Sequence, residues 1–249
     1  MTDKVVLVTG GSRGIGAAVC RMAAARGCDV GINFAGRRDA AEAVAADVRT
    51  HGRRAALLQA DVGDPDAVVA LFDACAAELG PPAALVNNAG IINRAAPLAE
   101  TPVEEIRRVI DLDLTAAIVV AREAVRRMST ARGGAGGVIV NFSSVAARIA
   151  GAGGFVAYGA AKRGIDALTE GLGREVAGEG IRVCGLRPGL IDTDMQAETG
   201  IEDRLARFGP TVPMGRHGTA EEVAECVLWL LSDGARYVTA TTFDVSGGR

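Results

Sequence analysis

The sequence predicts one α/β domain in which a doubly wound, mostly parallel β-sheet lies between two layers of helices. Short runs of consecutive apolar residues, such as residues 5–9 and 138–142, alternate with longer segments of helical periodicity. Strands that are apolar along their whole length are typical of parallel sheets with both faces covered. The chain has 249 residues, 49% of them apolar, without an internal repeat, linker or composition break. We therefore expect a single three-layer domain over residues 1–249.

Seven strands follow from the apolar runs. They span residues 5–9, 30–34, 55–60, 84–87, 138–142, 182–186 and 242–245. The helical segments between them have recognisable ends. Gly27 and Gly52 end the first two helices, and Asp64 followed by Pro65 predicts the start of the third.

Two capping boxes and one irregular stretch complete the pattern. Residues 101–104 (Thr-Pro-Val-Glu) predict the start of a long helix running toward Met128, and residues 219–222 start the last helix. A helix containing Tyr158 is expected to end near Gly180. Residues 192–217 interrupt the alternation of strands and helices. We expect this stretch to be a mobile lid over a binding site.

Composition and charge exclude several kinds of partner. The formal net charge is −3, and the 27 basic residues are interspersed with 30 acidic ones, so no basic stripe for nucleic acid is present. No apolar run approaches the roughly 18 residues of a membrane span, and the first residues lack a signal-peptide pattern. The five cysteines are scattered without a Cys-x-x-Cys pair, as in a reducing compartment, which predicts a cytoplasmic location. His51 and His217 have no partner at metal-ligand spacing, so no metal site is expected.

A glycine-rich turn follows the first strand. Residues 9–16 read Thr-Gly-Gly-Ser-Arg-Gly-Ile-Gly, a Gly-x-x-x-Gly-x-Gly spacing that differs from the Gly-x-Gly-x-x-Gly fingerprint. In the first βα turn of such a sheet, backbone N–H groups bind the pyrophosphate of a dinucleotide. The alternative is a tight loop that packs a helix on a strand. The residues predicted to bind a cofactor here are Gly10, Ser12, Arg13, Gly14, Ile15 and Gly16.

The end of the second strand indicates which dinucleotide is bound. An acid there would hold the ribose 2′-hydroxyl of NAD, but residues 32–38 contain no acid before Asp39. Arg37 and Arg13 could pair with a 2′-phosphate, although both could also be solvated. The sequence therefore predicts NADP(H) in preference to NAD(H).

Tyr158 and Lys162 are four positions apart on a predicted helix, so their side chains lie on one face. A nearby ammonium favours phenolate and is expected to lower the pKa of the tyrosine, which suits general acid–base chemistry. The spacing alone occurs by chance on many helices, so the surrounding motifs decide its meaning.

Together these residues resemble the short-chain dehydrogenase/reductase family over essentially the whole chain. Six motifs occur in order, each at or just beyond the end of a predicted strand. They are Thr9-Gly10-x-x-x-Gly14-x-Gly16, Asp61-Val62, Asn87-Asn88-Ala89-Gly90, Ser143-Ser144, Tyr158-x-x-x-Lys162 and Arg187-Pro188-Gly189. The resemblance implies a Rossmann-like fold and hydride transfer between a nicotinamide cofactor and a carbonyl or secondary alcohol.

The resemblance also implies roles for individual residues. Tyr158 would be the general acid or base, Lys162 would bind the nicotinamide ribose and acidify the tyrosine, and Ser144 rather than Ser143 would orient the substrate oxygen. The cofactor would further contact Asp61 at its adenine, together with Val62, Asn88, Ala89, Gly90, Pro188, Gly189, Ile191 and Thr193. A homotetramer, or a homodimer, is the assembly that the resemblance implies.

Asp113 is a departure from the family pattern. It stands in the long fourth helix where the family usually has an asparagine that helps to hold a water linking the lysine to solvent. An ionised aspartate only accepts hydrogen bonds, and its charge could pair with Lys162. We therefore expect an active enzyme with a shifted pH profile.

The substrate is less defined than the reaction. Loop positions after the strands suggest pocket residues Asn93, Arg94, Arg148, Phe155, Leu190 and Met195, of which the two arginines could recognise an acidic or phosphate-bearing substrate. A 3-oxoacyl thioester, a sugar and a simple ketone all remain open. The alternatives are a non-catalytic nucleotide sensor or scaffold on the same fold, and an epimerase or dehydratase.

Overall fold

Seven parallel strands form the centre of the computed structural model, which describes residues 2–249. The strands are β1 Val5–Val8, β2 Asp29–Phe34, β3 Ala55–Gln59, β4 Ala84–Asn87, β5 Gly137–Phe142, β6 Ile181–Pro188 and β7 Thr241–Val245. Their order across the sheet is β3-β2-β1-β4-β5-β6-β7, and every neighbouring pair is parallel. The doubly wound, Rossmann-like fold predicted from the sequence is confirmed.

Ten α-helices connect and flank the strands in the described residues. They are α1 Gly14–Ala25, α2 Arg38–Thr50, α3 Pro65–Leu79, α4 Val103–Ile110, α5 Ala117–Met128, α6 Val145–Arg148, α7 Val156–Glu175, α8 Met195–Glu198, α9 Arg204–Phe208 and α10 Ala220–Leu231. None of the helices in residues 2–249 is both long enough and apolar enough to cross a membrane. The predicted cytoplasmic location stays a prediction.

The core has two halves, one on each face of the sheet. On β1, Val6 and Val8 pack with α1, α2 and α10, whereas Val5 and Leu7 pack with α3 and α5. Successive strand residues point to opposite faces, so a strand buried on both faces must be apolar throughout. This is the physical reason for the continuous apolar runs in the sequence.

The long helix predicted from residue 101 toward Met128 is formed by α4, α5 and a π-helical segment, Asp111–Ala116, between them. The predicted capping box at its start is wrong. Pro102 is the N-cap residue, and the Thr101 hydroxyl donates instead to the carbonyl oxygen of Pro97 at 3.1 Å. The capping box of Thr219 with the last helix does form. Because π-helical turns are rare and occur often at functional sites, the segment around Asp113 is of interest.

The strand order reverses between β1 and β4, which are neighbours at the middle of the sheet. At such a switch point the connections leave toward opposite faces and open a crevice at the carboxyl ends of the strands. Residues 192–217, the expected lid, lie beyond β6 and contain α8 and α9 rather than irregular chain alone. The mobility of this lid stays a prediction.

Candidate active site

Two cavities adjoin at the carboxyl end of the sheet. The first, here called the glycine-loop cavity, has a volume of about 420 Å³ and lies over the turn that follows β1. The second, the tyrosine cavity, has a volume of about 220 Å³ and is lined by Ser144, Tyr158 and Lys162. Five residues line both: Ile15, Asn88, Gly90, Thr193 and Met195. A ligand of elongated shape can therefore extend from one cavity into the other.

Most residues that the sequence predicted to bind a cofactor line these cavities. The glycine-loop cavity is lined by Gly10, Ser12, Arg13, Gly14, Ile15, Arg37, Asp61, Val62, Asn88, Ala89, Gly90 and Thr193. The tyrosine cavity is lined by Tyr158, Lys162, Pro188, Gly189 and Ile191. Gly16 lines neither cavity. A Cβ at Gly16 would lie 2.3 Å from the carbonyl oxygen of Gly10, so this glycine allows α1 to pack closely on the loop.

The glycine loop is held by side chains from β2 and from the residue after β4, the two strands that flank β1. Gly10 has a φ of +63°, and its N–H donates to the side-chain oxygen of Asn33 at 3.3 Å. The Asn88 amide donates to the carbonyl oxygens of Thr9 at 2.9 Å and of Gly10 at 3.2 Å. Sequence reasoning missed the role of Asn33. The available signal was a polar residue near the end of an otherwise apolar strand.

The charged groups at the rim of the glycine-loop cavity differ in their partners. The side chain of Arg37 is 63% exposed and lies 3.5 Å from Asp39. Arg13 instead reaches residues 192–217, where its guanidinium lies 2.8 Å from Glu198. Asp61 accepts a hydrogen bond from the N–H of Gly63 at 2.9 Å, which orients its carboxylate. Of the two arginines, Arg37 is thus the more available cation.

Ser144, Tyr158 and Lys162 come from two elements that meet in the tyrosine cavity. Ser144 is the N-cap residue of α6 and accepts from the N–H of Ala146 at 3.1 Å, while the other two lie on the buried face of α7. The Lys162 ammonium donates to the carbonyl oxygen of Phe142 at 3.2 Å and lies 5.5 Å from the centre of the Tyr158 ring.

The structure distinguishes the two neighbouring serines. The Ser143 hydroxyl donates to the carbonyl oxygen of Lys162 at 2.9 Å and is buried, so it links the segment after β5 to α7. Ser144 is instead close enough to hydrogen-bond the Tyr158 side chain. This arrangement favours Ser144 over Ser143 as the serine that faces a ligand.

The net pKa shift of Tyr158 is opposite to the sequence expectation. Burial raises the pKa of the phenol above its ordinary value; Lys162 lowers it, Asp113 raises it further, and the hydrogen bond with Ser144 lowers it. The expectation of a net lowering is therefore wrong, because desolvation disfavours the charged phenolate. Burial lowers the pKa of Lys162, but the neighbouring Asp113 and Tyr158 outweigh it and the net direction is upward.

Asp113 lies behind Lys162, outside both cavities. Its Oδ1 accepts from the N–H of Ile91 at 3.0 Å and lies 3.4 Å from the Lys162 ammonium, so the ion pair considered from the sequence is formed. Within residues 2–249, its buried Oδ2 has no hydrogen-bond partner. Burial raises the pKa of Asp113; Lys162 lowers it, but the net direction is upward. A Cβ at Gly90 would lie 2.4 Å from Oδ1, so only glycine leaves room for this contact.

Half of the pocket residues suggested from loop positions do not line the tyrosine cavity. Phe155, Leu190 and Met195 line it, as predicted. Asn93, Arg94 and Arg148 do not. The Asn93 amide donates to the carbonyl oxygen of Gly154 at 2.9 Å, the Arg94 guanidinium lies against Gly200, and Arg148 pairs with Asp244.

Two other arginines take their place. Arg204 and Arg249 line the tyrosine cavity, and sequence reasoning missed both. Arg204 lies on α9 within the irregular stretch, and Arg249 is the last residue of the sequence, so no motif surrounds either of them. Only the tertiary structure brings them to the same cavity.

A doubly wound sheet with a glycine-rich first turn defines the class of dinucleotide-binding α/β proteins. The chain belongs to the short-chain dehydrogenase/reductase family: the family model described as enoyl-(acyl carrier protein) reductase matches residues 10–249. It is an oxidoreductase that uses a nicotinamide nucleotide and acts on CH–OH or C=O groups of small molecules.

Two curated relatives and one solved structure illustrate the likeness. The uncharacterized oxidoreductase YgfF of Escherichia coli strain K12 is 46% identical over 98% of this chain and 99% of its own length. The cis-4-hydroxycyclohexanecarboxylate dehydrogenase of Sinomonas cyclohexanicum is 41% identical over 99% of this chain and 96% of its own. A short-chain dehydrogenase from Burkholderia cenocepacia J2315, solved in complex with NADP, has a TM-score of 0.90 at 34% identity and covers 99% of this chain and 98% of that one.

Proposed function

We propose that the protein transfers a hydride between NADP(H) and a small cyclic or branched secondary alcohol or ketone, with Tyr158 as the general acid or base. One observation carries this proposal: Ser144, Tyr158 and Lys162 line one buried cavity that adjoins the glycine-loop cavity. A nucleotide sensor or scaffold would not require these three side chains to meet, and no feature of the described residues favours that alternative.

The glycine-loop cavity fits NADP(H) in shape and charge. Residues without a side chain form part of its wall, since Gly10, Gly14 and Gly90 line it. At the end of β2 the side chain is Asn33 rather than an acid, and the exposed Arg37 stands at the rim. A 2′-phosphate would meet a cation there instead of a repelling carboxylate. When bound, NADP(H) supplies or accepts the hydride.

The residues of the tyrosine cavity control the proton. Since burial raises its pKa, the Tyr158 phenol holds its proton at neutral pH and can give it to the oxygen of a carbonyl that is being reduced. Ser144 would donate a hydrogen bond to the same oxygen and stabilise the negative charge that develops on it. The Lys162 ammonium would stabilise the phenolate that remains after the proton has left. In alcohol oxidation the same groups act in reverse.

Asp113 is proposed to position Lys162 and to moderate its effect. The carboxylate lies 3.4 Å from the ammonium and shares its charge, so Lys162 stabilises phenolate less than an unpaired lysine would. The unpartnered Oδ2 of Asp113 is suited to accept a hydrogen bond from a water. We therefore propose that Asp113 performs the anchoring role of the family asparagine with a different electrostatic effect on Tyr158.

The lining of the tyrosine cavity favours a compact, largely apolar substrate. Phe155, Leu190, Met195 and Phe208 contribute apolar walls, which suit a ketone better than a sugar. The relative from Sinomonas cyclohexanicum is named for a substrate with a secondary alcohol on a cyclohexane ring. A cyclic ketone or alcohol is therefore our first candidate, and a 3-oxoacyl thioester is the second.

The experiment that tests this function measures NADPH oxidation by the purified protein with cyclic ketones, 3-oxoacyl thioesters and keto sugars. We expect turnover with the cyclic ketones. NADPH binding is monitored by the fluorescence of the nucleotide. If NADPH binds but none of the three substrate classes is turned over, the proposed enzyme is contradicted and the nucleotide sensor is favoured.

We also propose a homotetramer or homodimer packed on the helices α4, α5 and α7. Val103 and Ile118 on the first two of these helices are large apolar side chains that are 55% and 42% exposed in the single chain. Light scattering of the purified protein, with Ile118→Asp as the disrupting variant, tests the assembly. A monomer at micromolar concentration would contradict it.

A further inference from the structure

One wall of the tyrosine cavity carries two positively charged side chains. Arg204 comes from α9 and Arg249 from the end of the sequence, after β7. Arg204 packs its guanidinium over the ring of Phe155, 5.0 Å from the ring centre, and donates to the side-chain oxygen of Gln196 at 2.6 Å. Both contacts hold the guanidinium in place against the cavity wall.

Neither guanidinium has a carboxylate partner. Within residues 2–249, no Asp or Glu lies within the 4.0 Å limit of an ion pair from Arg204 or Arg249. Other partly buried arginines are paired; Arg187, for example, lies 3.0 Å from Asp166. An arginine has five N–H donors, and Gln196 accepts from only one nitrogen of Arg204. The remaining donors are suited to a carboxylate, which binds a guanidinium through two parallel hydrogen bonds.

Burial and a like charge both act against the Arg204 cation. Burial lowers the pKa of Arg204, and the nearby positive charge of Arg249 lowers it further. Both effects show that the cation is less stable here than in water. An anion between the two side chains would remove the repulsion and replace lost hydration.

The same wall is close to the reacting groups. Arg204 and Tyr158 influence each other electrostatically, and both line a cavity of only about 220 Å³. One small molecule can therefore place an anionic group at the arginines and an oxygen at Ser144 and Tyr158.

We propose that the substrate is a small, apolar oxo- or hydroxy acid whose carboxylate is bound by Arg204 and Arg249. This proposal rests on the proposed function and adds the substrate's charge to it. It distinguishes between the open substrate classes, since a simple ketone, a sugar and the acyl part of a 3-oxoacyl thioester all place neutral groups near the reacting carbon.

The test compares 4-oxocyclohexanecarboxylate with its neutral methyl ester as substrates for NADPH-dependent reduction. For the unaltered protein we expect kcat/KM for the acid to exceed that for the ester by about tenfold or more, as for one charge-assisted contact. Arg204→Gln should reduce this ratio by about tenfold, through a higher KM for the acid. Arg249→Gln should reduce the ratio in the same direction.

Arg207→Gln is the matched control, because Arg207 lies on the same helix, is exposed and does not line the cavity. Its acid-to-ester ratio should equal that of the unaltered protein. A ratio near one in the unaltered protein, or a ratio unchanged by Arg204→Gln, would overturn the proposal.

Calorimetric binding of the acid separates this proposal from the proposed function. If neither compound is reduced, the proposed reaction fails for this substrate class. The anion site is still supported if the acid binds to the unaltered protein and to Arg207→Gln but not to Arg204→Gln. Absence of binding to the unaltered protein in the presence of NADP would overturn the anion site as well.

Discussion

The two adjoining cavities are built in different ways. The glycine-loop cavity is walled largely by backbone and small residues, among them Gly10, Gly14, Ala89 and Gly90. The tyrosine cavity is walled by large and charged side chains, among them Tyr158, Phe155 and Arg204. Backbone walls suit a ligand of constant shape, such as a dinucleotide, whereas side-chain walls can change with few substitutions. If the proposed function holds, cofactor binding depends on close packing, and substrate selection depends on individual side chains.

The charges of the two cavities also differ in their surroundings. Arg37, at the rim of the glycine-loop cavity, is largely exposed, so solvent weakens its interactions. Arg204 and Lys162 are much less accessible, and burial shifts the pKa of each. We therefore expect substitutions in the tyrosine cavity to have the larger effects on turnover.

Tyr158→Phe should produce the largest effect. Loss of the phenolic proton removes general acid–base catalysis, and we expect kcat to fall by about two to four orders of magnitude. Tyr237→Phe is the matched control, because Tyr237 is fully exposed and lines neither cavity. Steady-state kinetics with a cyclic ketone measure both variants. Near-normal kcat in Tyr158→Phe would remove the tyrosine from the mechanism.

Gly16→Ala should lower both the stability of the protein and its affinity for NADPH, because the added methyl group does not fit beside the glycine loop. The added Cβ would lie 2.3 Å from the Gly10 carbonyl oxygen, and such overpacking lowers the free energy of unfolding by about 1–3 kcal/mol. NADPH affinity should fall with it, since the loop must shift. Urea unfolding followed by circular dichroism measures the first effect, and NADPH fluorescence the second.

Gly171→Ala is the control for this packing argument. Gly171 is also a helical glycine, on α7, but a Cβ there meets no atom within 4 Å. The substitution should raise the free energy of unfolding by up to about 1 kcal/mol, because alanine favours helix. If the two substitutions changed the free energy of unfolding equally, close contact would not be the reason that position 16 requires glycine.

Arg37→Ala should have a moderate and selective effect. Loss of the cation at the rim should raise the KM for NADPH by about tenfold, the size of one charge-assisted contact, and change the KM for NADH little. Arg38→Ala is the control, because Arg38 pairs with Glu42 on the surface and lines neither cavity. An unaltered enzyme that prefers NADH would contradict the cofactor assignment.

Asp113→Asn should have the smallest effect, a displacement of the pH profile. The charge of Asp113 raises the pKa of Tyr158, so its removal should lower that pKa. In alcohol oxidation the tyrosine must be deprotonated, and kcat rises as pH passes through its pKa. The rising limb should therefore move to lower pH in Asp113→Asn.

Asp111→Asn is the control for the pH profile, because Asp111 lies in the same π-helical segment but is exposed. Its profile should match that of the unaltered enzyme. An unmoved rising limb in Asp113→Asn would show that the ion pair with Lys162 does not tune the tyrosine.

Much of the fold followed from local patterns. The seven strands and the cap at Asp64 were predictable because strand burial and helix starts depend on consecutive residues. The capping box at Thr101 failed because Pro102 placed the helix start one residue later, and the Thr101 hydroxyl found a nearer acceptor in Pro97. Local propensity is decisive only where no competing partner is close.

The sequence by itself determined the sheet, the glycine loop and the Tyr158–Lys162 pair, since each depends on spacing along one strand, turn or helix. The tertiary structure decided three other features. It placed Arg204 and Arg249, rather than Arg94 and Arg148, in the lining of the tyrosine cavity.

It also brought the buried Asp113 to Lys162 and reversed the expected net pKa shift of Tyr158. The physical reason is common to all three. Cavity walls and desolvation arise from residues that are distant in the chain, and neither motif nor periodicity specifies which distant residues will meet.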